Sequence, residues 1–272
     1  MADRHGLLRD LRQLLELDRG FGIEFMPRIA AAAAVEAAPA PAPVLRRLSP
    51  PAPAAPAAPP PAVTPAAAAV ETPTAAPSGL PMADLEHIAT EIASCQRCPL
   101  GGCRTRSVPG EGNPGPDLLF VGEGPGAEED AQGRPFVGPA GQLLTRMIEA
   151  MGLSRTEVFI ANVVKCRPPG NRVPAPEEIA HCLPFLRRQI AVLRPKLICT
   201  LGNTPLRALM GDDSLGISRM RGQLLAFEGI PLIPTFHPSY LLRNPEAKKP
   251  CWEDLQAVLK ALGRTLPPRQ GG

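Results

Sequence analysis

The sequence lacks any long hydrophobic run and is poor in aromatic residues, with one tryptophan and one tyrosine among 272 residues. Its most apolar stretch near the N-terminus is the alanine run at residues 28–35, far short of the roughly 20 apolar residues that a membrane-spanning helix needs. We also recognise no cleavable targeting peptide. These absences predict a cytoplasmic protein without a membrane segment.

A secreted disulfide framework is a poor match for the cysteine content. The chain has seven cysteines, an odd number, scattered among charged segments without a secretory signal. The net charge of +3 permits a nucleic-acid partner but does not demand one, because many soluble enzymes are equally basic. The composition therefore favours a reducing compartment and leaves the partner open.

Composition divides the chain into four segments. Leucines at helical spacing predict a short amphipathic helix within residues 1–28, and residues 29–81 are an alanine and proline-rich linker that we expect to be disordered. The 36 prolines are too many for the whole chain to pack. We expect one folded domain at residues 82–265, followed by a disordered tail at 266–272. A protein partner for the N-terminal helix stays open, and we expect a monomer.

The folded segment alternates short β-rich runs with longer helical ones, which is typical of an α/β fold. It predicts a three-layer α/β/α sandwich around a mainly parallel, four-stranded central sheet. The predicted strands are nearly continuous apolar runs: Leu118 to Val121, Val158 to Val164, Leu197 to Leu201 and Leu232 to Phe236. The predicted helices are Ala83 to Ala93, Ala140 to Met151, Pro176 to Leu193, Pro205 to Met210 and Trp252 to Leu262, and Gln223 to Phe227 begins a small hairpin.

Four cysteines have a spacing that suits a thiolate-bound metal or iron–sulfur site. Cys95 and Cys98 form a C-x-x-C pair, whereas Cys166 follows a predicted strand and Cys182 lies within a predicted helix. Spacing alone separates neither zinc from an iron–sulfur cluster nor a site from a coincidence. Cys103 is a competing ligand. We interpret the remaining two, Cys199 and Cys251, as plain core or helix residues.

Several residues follow predicted strands, where open α/β sheets bind their ligands. The run Gly122-Glu123-Gly124-Pro125-Gly126 lets a ligand approach the main chain closely, although a plain glycine turn is the ordinary alternative. Phe136 offers an aromatic surface, and Asn162 offers a buried carboxamide; each has an ordinary reading as a core residue. His237, at the end of the last strand, is hard to explain by packing. A G-x-G-x-x-G run at Gly110 precedes a strand, so we discard a dinucleotide site.

Taken together, these motifs resemble the family 4 uracil-DNA glycosylases, over nearly all of residues 83–263. The resemblance rests on four ordered motifs and four matching cysteines: residues 122–126, 133–138, 162–169 and 237–243, with Cys95, Cys98, Cys166 and Cys182. It implies an enzyme that flips uracil out of DNA and hydrolyses its N-glycosidic bond. It also implies a structural [4Fe–4S] cluster held by those four cysteines.

The resemblance also implies a role for each matching residue. Phe136 would stack on the uracil, Asn162 would read its polar edge, and the backbone at Gly124 would hold another edge. His237 would donate to O2 of the leaving base, and Glu123 would place the water, with Glu129 as second choice. A loop formed by Ser239, Tyr240, Leu241, Leu242 and Arg243 would wedge into the duplex.

Two other classes of function remain open. One is a uracil-DNA binding or covalently trapping protein on the same fold, but the basic insertion of that related group is missing from the run Ser154 to Val158. The other is a metal or iron–sulfur module that recruits partners. This second class leaves Asn162 and His237 without a role.

Overall fold

A computed structural model describes residues 81–265 of the chain. The predicted N-terminal helix, the linker up to residue 80 and the tail at 266–272 lie outside the described residues. The division into segments therefore stays a prediction. None of the helices within the described range is both long and apolar enough to cross a membrane.

Nine α-helices and two short 3-10 helices occur within the described range. The α-helices are α1 Pro81–Ser94, α2 Leu100–Cys103, α3 Ala127–Gln132, α4 Pro139–Ala150, α5 Pro176–Leu193, α6 Asn203–Met210, α7 Ile217–Met220, α8 Pro238–Arg243 and α9 Lys248–Ala261. The 3-10 helices are Pro169–Asn171 and Pro245–Ala247. All five predicted helices are present, with bounds that differ by at most a few residues. The four unpredicted ones are short.

Local sequence explains where the long helices begin. α4 starts with Pro139 in its first turn, where the missing N–H costs nothing. α5 also begins with a proline, and the carboxylate of Glu178 accepts a hydrogen bond from the backbone of Ala175 at 2.7 Å. Each of these helices then turns one apolar face towards the sheet.

The sheet has six strands in the order β1-β3-β2-β4-β6-β5. They are β1 Glu111–Gly112, β2 Leu118–Gly122, β3 Phe159–Asn162, β4 Leu197–Leu201, β5 Leu225–Phe227 and β6 Ile230–Thr235. The four central strands, β3-β2-β4-β6, are mutually parallel, and both edge strands are antiparallel to their neighbours. The predicted α/β sandwich with its parallel centre is confirmed.

The predicted strand number of four is too low by the two edge strands. β5 belongs to the hairpin that the sequence indicated. β1 has only two residues and no apolar run, so nothing in the sequence marked it. Gly110 and Gly112 both have positive φ there, and a Cβ on Gly112 would overlap with the backbone of Val158. Fitting this edge strand explains two glycines of the discarded nucleotide-binding motif.

Residues on the two faces of each central strand pack into two separate hydrophobic cores. Leu118 and Phe120 of β2 pack in one core with α4 and α9, whereas Leu119 and Val121 pack in the other with α1 and α5. The central strands are therefore buried on both faces. Their carboxyl ends meet at one edge of the sheet, where β2 leads to Glu123, β3 ends at Asn162 and β6 leads to His237.

Leu241, one residue of the predicted wedge, lies in the core. The segment from Pro238 is the helix α8, in which Leu241 is 1% exposed and packs in the core beside α4 and α9. Its neighbours Tyr240 and Leu242 are 38% and 44% exposed. Three consecutive residues of a helix point in different directions, so one of an apolar trio turns inwards.

We predict that Leu241→Ala destabilises the protein by roughly 2–5 kcal/mol, because it leaves a cavity in a packed core. The matched change Leu242→Ala is expected to alter the free energy of unfolding by no more than about 0.5 kcal/mol. Urea unfolding followed by circular dichroism measures both. Equal losses in the two variants would contradict the assignment of Leu241 to the core.

Candidate active site

One cavity of about 330 Å³ opens at the carboxyl edge of the sheet. It is bordered by all five residues to which the sequence assigned base binding or catalysis: Glu123, Gly124, Phe136, Asn162 and His237. Ser239, predicted to belong to the wedge, also borders this cavity. The fold thus brings together residues that lie up to 116 positions apart in the chain.

At the carboxyl end of β2, the packing is so close that only glycine fits at residue 122. A Cβ there would overlap with the Oδ1 atom of Asn162 and would lie 2.5 Å from the ring of Phe136. Gly122 also pairs with Asn162 across the parallel strands β2 and β3. The strand register and the missing side chain together place the carboxamide next to the ring.

Asn162 has an unsatisfied acceptor. The residue is 1% exposed, and its Oδ1 has no hydrogen-bond partner among the described residues. A buried acceptor without a partner costs roughly 1–3 kcal/mol. The ordinary reading of Asn162, a carboxamide satisfied by neighbouring backbone, therefore does not hold for this oxygen.

Phe136 has a strained backbone. Its φ of 51° lies in the left-handed region, which a bulky residue rarely adopts, and its side chain is 6% exposed. The ring centroid lies 5.7 Å from that of His237, with a 36° angle between the planes. Phe136 and His237 are therefore neighbours on the cavity wall.

His237 caps the helix α8 with its own ring. Its Nδ1 accepts a hydrogen bond from the backbone N–H of Ser239 at 3.1 Å and lies 2.8 Å from the Ser239 hydroxyl. Burial, helped by Arg243 and opposed by Glu129, lowers the pKa of His237 to about 4. The ring is thus neutral at pH 7, and because Nδ1 accepts, the proton is assigned to Nε2.

Two carboxylates near the cavity have different surroundings. Glu129 accepts backbone hydrogen bonds from Gly126 at 3.0 Å, Val137 at 2.9 Å and Gly138 at 2.9 Å, so both of its oxygens hold the loops together. Glu123 accepts one bond on Oε2, from the hydroxyl of Thr204 at 2.5 Å. Glu123 also borders a second cavity of about 610 Å³ that shares His237 with the first. This difference favours Glu123 over Glu129 for chemistry.

Sequence reasoning missed Thr204. It lies in the first turn of α6, 81 residues from its partner Glu123, and belongs to none of the motifs. The one available signal was its place just after β4, because ligands bind beyond the carboxyl ends of the strands. That signal does not single out Thr204.

The four predicted cysteine ligands border one small, separate cavity. Cys166 and Cys182 are buried, and Cys95 and Cys98 are partly buried against the same core. Cys103, the competing thiol, is exposed and does not border this cavity. Among residues 81–265, no three His, Cys, Asp or Glu side chains form a group of the kind that holds one metal ion.

The thiols that line this small, separate cavity have nitrogen donors around them. Arg104 donates from Nη1 to the Sγ of Cys166 at 3.0 Å, and the backbone N–H of Lys165 donates to the Sγ of Cys182 at 3.2 Å. Burial raises the pKa of Cys182 to about 11 and also raises that of Cys166. Lys165 is fully buried, and its ammonium donates to Gln189 Oε1 at 2.6 Å. The surroundings suit a centre with negative charge.

Comparisons with known proteins agree with this geometry. Residues 109–256 match the family model of the uracil DNA glycosylase superfamily. A type-4 uracil-DNA glycosylase of Sulfurisphaera tokodaii is 46% identical over 185 residues, which cover 65% of this chain and 84% of the relative. Those of Saccharolobus solfataricus and Thermotoga maritima are 45% and 47% identical, over 66% and 63% of this chain and 88% and 91% of the relatives.

The lowered pKa of His237 predicts a pH-dependent stability. The folded-state value lies below the ordinary 6.5, so this contribution is fully present above pH 6.5 and is lost as the pH falls towards 4. In His237→Gln that loss is absent. We expect the wild type to lose on the order of 2 kcal/mol more than the variant between pH 7.5 and pH 4.5. Urea unfolding at both pH values tests this, and parallel losses would show that the ring takes up its proton in the folded state.

Proposed function

Because the chain belongs to the uracil-DNA glycosylase superfamily and to its type-4 branch, we propose that its cavity binds uracil flipped out of DNA and hydrolyses the N-glycosidic bond. The reaction adds water to C1′ of the sugar, breaks the bond from C1′ to N1 and leaves an abasic site. The abasic site in DNA is in turn the kind of substrate on which abasic-site repair enzymes act.

The single observation that carries this proposal is the unpartnered oxygen of Asn162 in a cavity that also holds Phe136 and His237. A carboxamide donates and accepts side by side, which matches the N3–H and O4 of uracil. Uracil would supply the missing donor. Phe136 offers a ring on which the flipped base can stack. Stacking of this kind adds binding energy whatever the base.

His237 supplies a neutral donor at the leaving base. Breaking the bond leaves negative charge on the base, with O2 as one of its carriers. In our proposal the Nε2–H of His237 donates to that oxygen, while Ser239 fixes the ring through Nδ1. Loss of one such donor typically costs a factor of about 10²–10³ in rate.

Glu123 is our choice for placing the water. Thr204 occupies one carboxylate oxygen, so the second oxygen can accept from water in a cavity that continues past Glu123. The carboxylate also favours positive charge on the sugar ring as the base departs. Glu129, with both oxygens bound to backbone, is less suited to this role.

The wedge role moves to the exposed side of α8. Tyr240, Leu242 and Arg243 are exposed there, whereas Leu241 is in the core and Ser239 supports His237. A side chain that fills the gap left by a flipped nucleotide must reach beyond the protein surface. Leu242 is the apolar candidate.

We expect the purified protein to convert a labelled single-uracil oligonucleotide into an alkali-labile product, visible as cleavage on a denaturing gel. Asn162→Asp is expected to lower the single-turnover rate by at least about 100-fold, because the carboxylate offers no N–H and repels the uracil anion. The matched control is Asn113→Asp, at a surface turn where the new carboxylate keeps the acceptor for Gly115.

Three outcomes of this assay contradict parts of the proposal. A covalent band without turnover would identify a trapping protein, and no reaction on uracil would remove the glycosylase. Full activity of Asn162→Asp at neutral pH would make Asn162 a structural residue.

We further propose that Cys95, Cys98, Cys166 and Cys182 hold a [4Fe–4S] cluster. The fit rests on four thiols around one cavity and on the N–H donors from Arg104 and Lys165 to two of them. Burial disfavours the thiolate forms of Cys166 and Cys182, so binding of the cluster would have to supply the free energy of their deprotonation. When bound, the cluster would cross-link the loop between α1 and α2, the segment that follows β3, and α5, with no step in the hydrolysis.

Protein purified without oxygen is expected to be brown and to contain iron and sulfide in nearly equal amounts. Cys166→Ser and Cys182→Ser are expected to give colourless, poorly soluble protein, because each removes a buried ligand. Cys103→Ser is the matched control and keeps its colour, since Cys103 lies outside the cavity. A colourless wild type with one equivalent of zinc would overturn the cluster.

A further inference from the structure

Arg155 lies in the turn between α4 and β3 and binds the loop that carries Phe136, which lines the cavity of about 330 Å³. Its side chain is 19% exposed, and its guanidinium makes four hydrogen bonds. Two go to backbone carbonyls, of Pro135 at 2.8 Å and of Phe136 at 3.0 Å. The others go to the Thr145 hydroxyl at 3.2 Å and the Glu111 carboxylate at 2.8 Å.

The loop that Arg155 binds needs such support. Phe136 has a φ of 51°, a conformation that a bulky side chain adopts only when its surroundings enforce it. On one side, its ring touches the site where Gly122 has no Cβ. On the other side, its carbonyl faces Gly141, where a Cβ would overlap with it. The ring of Phe136 is therefore restrained at Gly122, and its carbonyl is restrained at Gly141. Arg155 donates to that same carbonyl.

The guanidinium is itself held in place. Burial would raise the pKa of Glu111, but hydrogen bonds from Arg134 and Arg155 outweigh it and lower that pKa. Glu111 is thus an anion on the edge strand β1, and it fixes the guanidinium plane relative to the sheet. A lysine cannot reproduce this, because an ammonium lacks the planar array that reaches two carbonyls and a carboxylate together.

We propose that Arg155 is a positioning residue for base binding, which holds the Phe136 ring at the spacing that a flipped uracil requires. The inference rests on the proposed function, in which Phe136 stacks on the base. Arg155 touches no substrate and acts through the backbone of Pro135 and Phe136.

The test compares Arg155→Ala with Arg134→Ala. Arg134 binds the same Glu111 carboxylate, but it is exposed and its hydrogen bonds within the described range reach only Glu111. Three quantities are measured: the half-saturating concentration of a uracil oligonucleotide under single-turnover conditions, the saturating rate, and the inhibition constant of free uracil. Thermal melting is recorded for each variant.

Arg155→Ala is expected to raise the half-saturating concentration and the inhibition constant of uracil by about tenfold each, the scale of a weakened base stack. The saturating rate is expected to fall less, because stacking is present before and during bond breakage. Arg155→Lys is expected to restore part of the uracil affinity. Arg134→Ala is expected to leave both constants unchanged.

A double-mutant cycle with Phe136→Ala separates positioning from general stability. If Arg155 acts through Phe136, adding Arg155→Ala to Phe136→Ala causes no further loss of uracil affinity. Additive losses, or an Arg155→Ala variant that matches Arg134→Ala, would overturn the inference while leaving the glycosylase intact. A wild type that neither cleaves nor binds uracil would overturn both. If Arg155→Ala does not fold, Arg155→Lys takes its place in the cycle, with the same criteria.

Discussion

The missing side chain of Gly122 is the constraint on which the cavity depends. β2 ends at this residue, directly under the Phe136 ring and beside the carboxamide of Asn162, and no Cβ fits there. Because β2 and β3 are parallel and in register, the strand pairing delivers Asn162 to this point. In the proposed function, Phe136 stacks on the base and Asn162 reads its edge. The positions of both therefore depend on the close approach at Gly122.

The two proposed centres are connected through the end of β3. Beyond Asn162, the backbone N–H groups of Val163 and Val164 donate to the carbonyls of Gly122 and Glu123 at 2.9 and 3.1 Å. Four residues after Asn162 comes Cys166, one of the proposed cluster ligands. The proposed cluster, bound at Cys166, would restrain the segment that positions Asn162 against β2. A cofactor without a chemical step would affect base recognition in this way.

The sequence predicted most reliably what its apolar pattern determines. The four central strands are continuous apolar runs, and residues beyond their ends converge because parallel strands share an edge. The apolar pattern does not show which way each side chain of a short helix points. In the apolar trio Tyr240 to Leu242, it could not tell that Leu241 faces the core. Arg155 and Thr204 had no motif, since their partners are 19 and 81 residues away and the contacts exist only in the folded chain.

Charge within the cavity is divided in a way that suits departure of an anionic base. His237, the proposed donor at the base, is neutral, because burial lowers its pKa and the backbone N–H of Ser239 donates to its Nδ1. A neutral donor stays available over the whole physiological pH range and does not depend on a proton taken from solvent. The carboxylate of Glu123 lies on the side where the second cavity joins the first, fixed by Thr204. In the proposed function this places negative charge where the sugar would become positive, apart from the carboxamide of Asn162 that would contact the base.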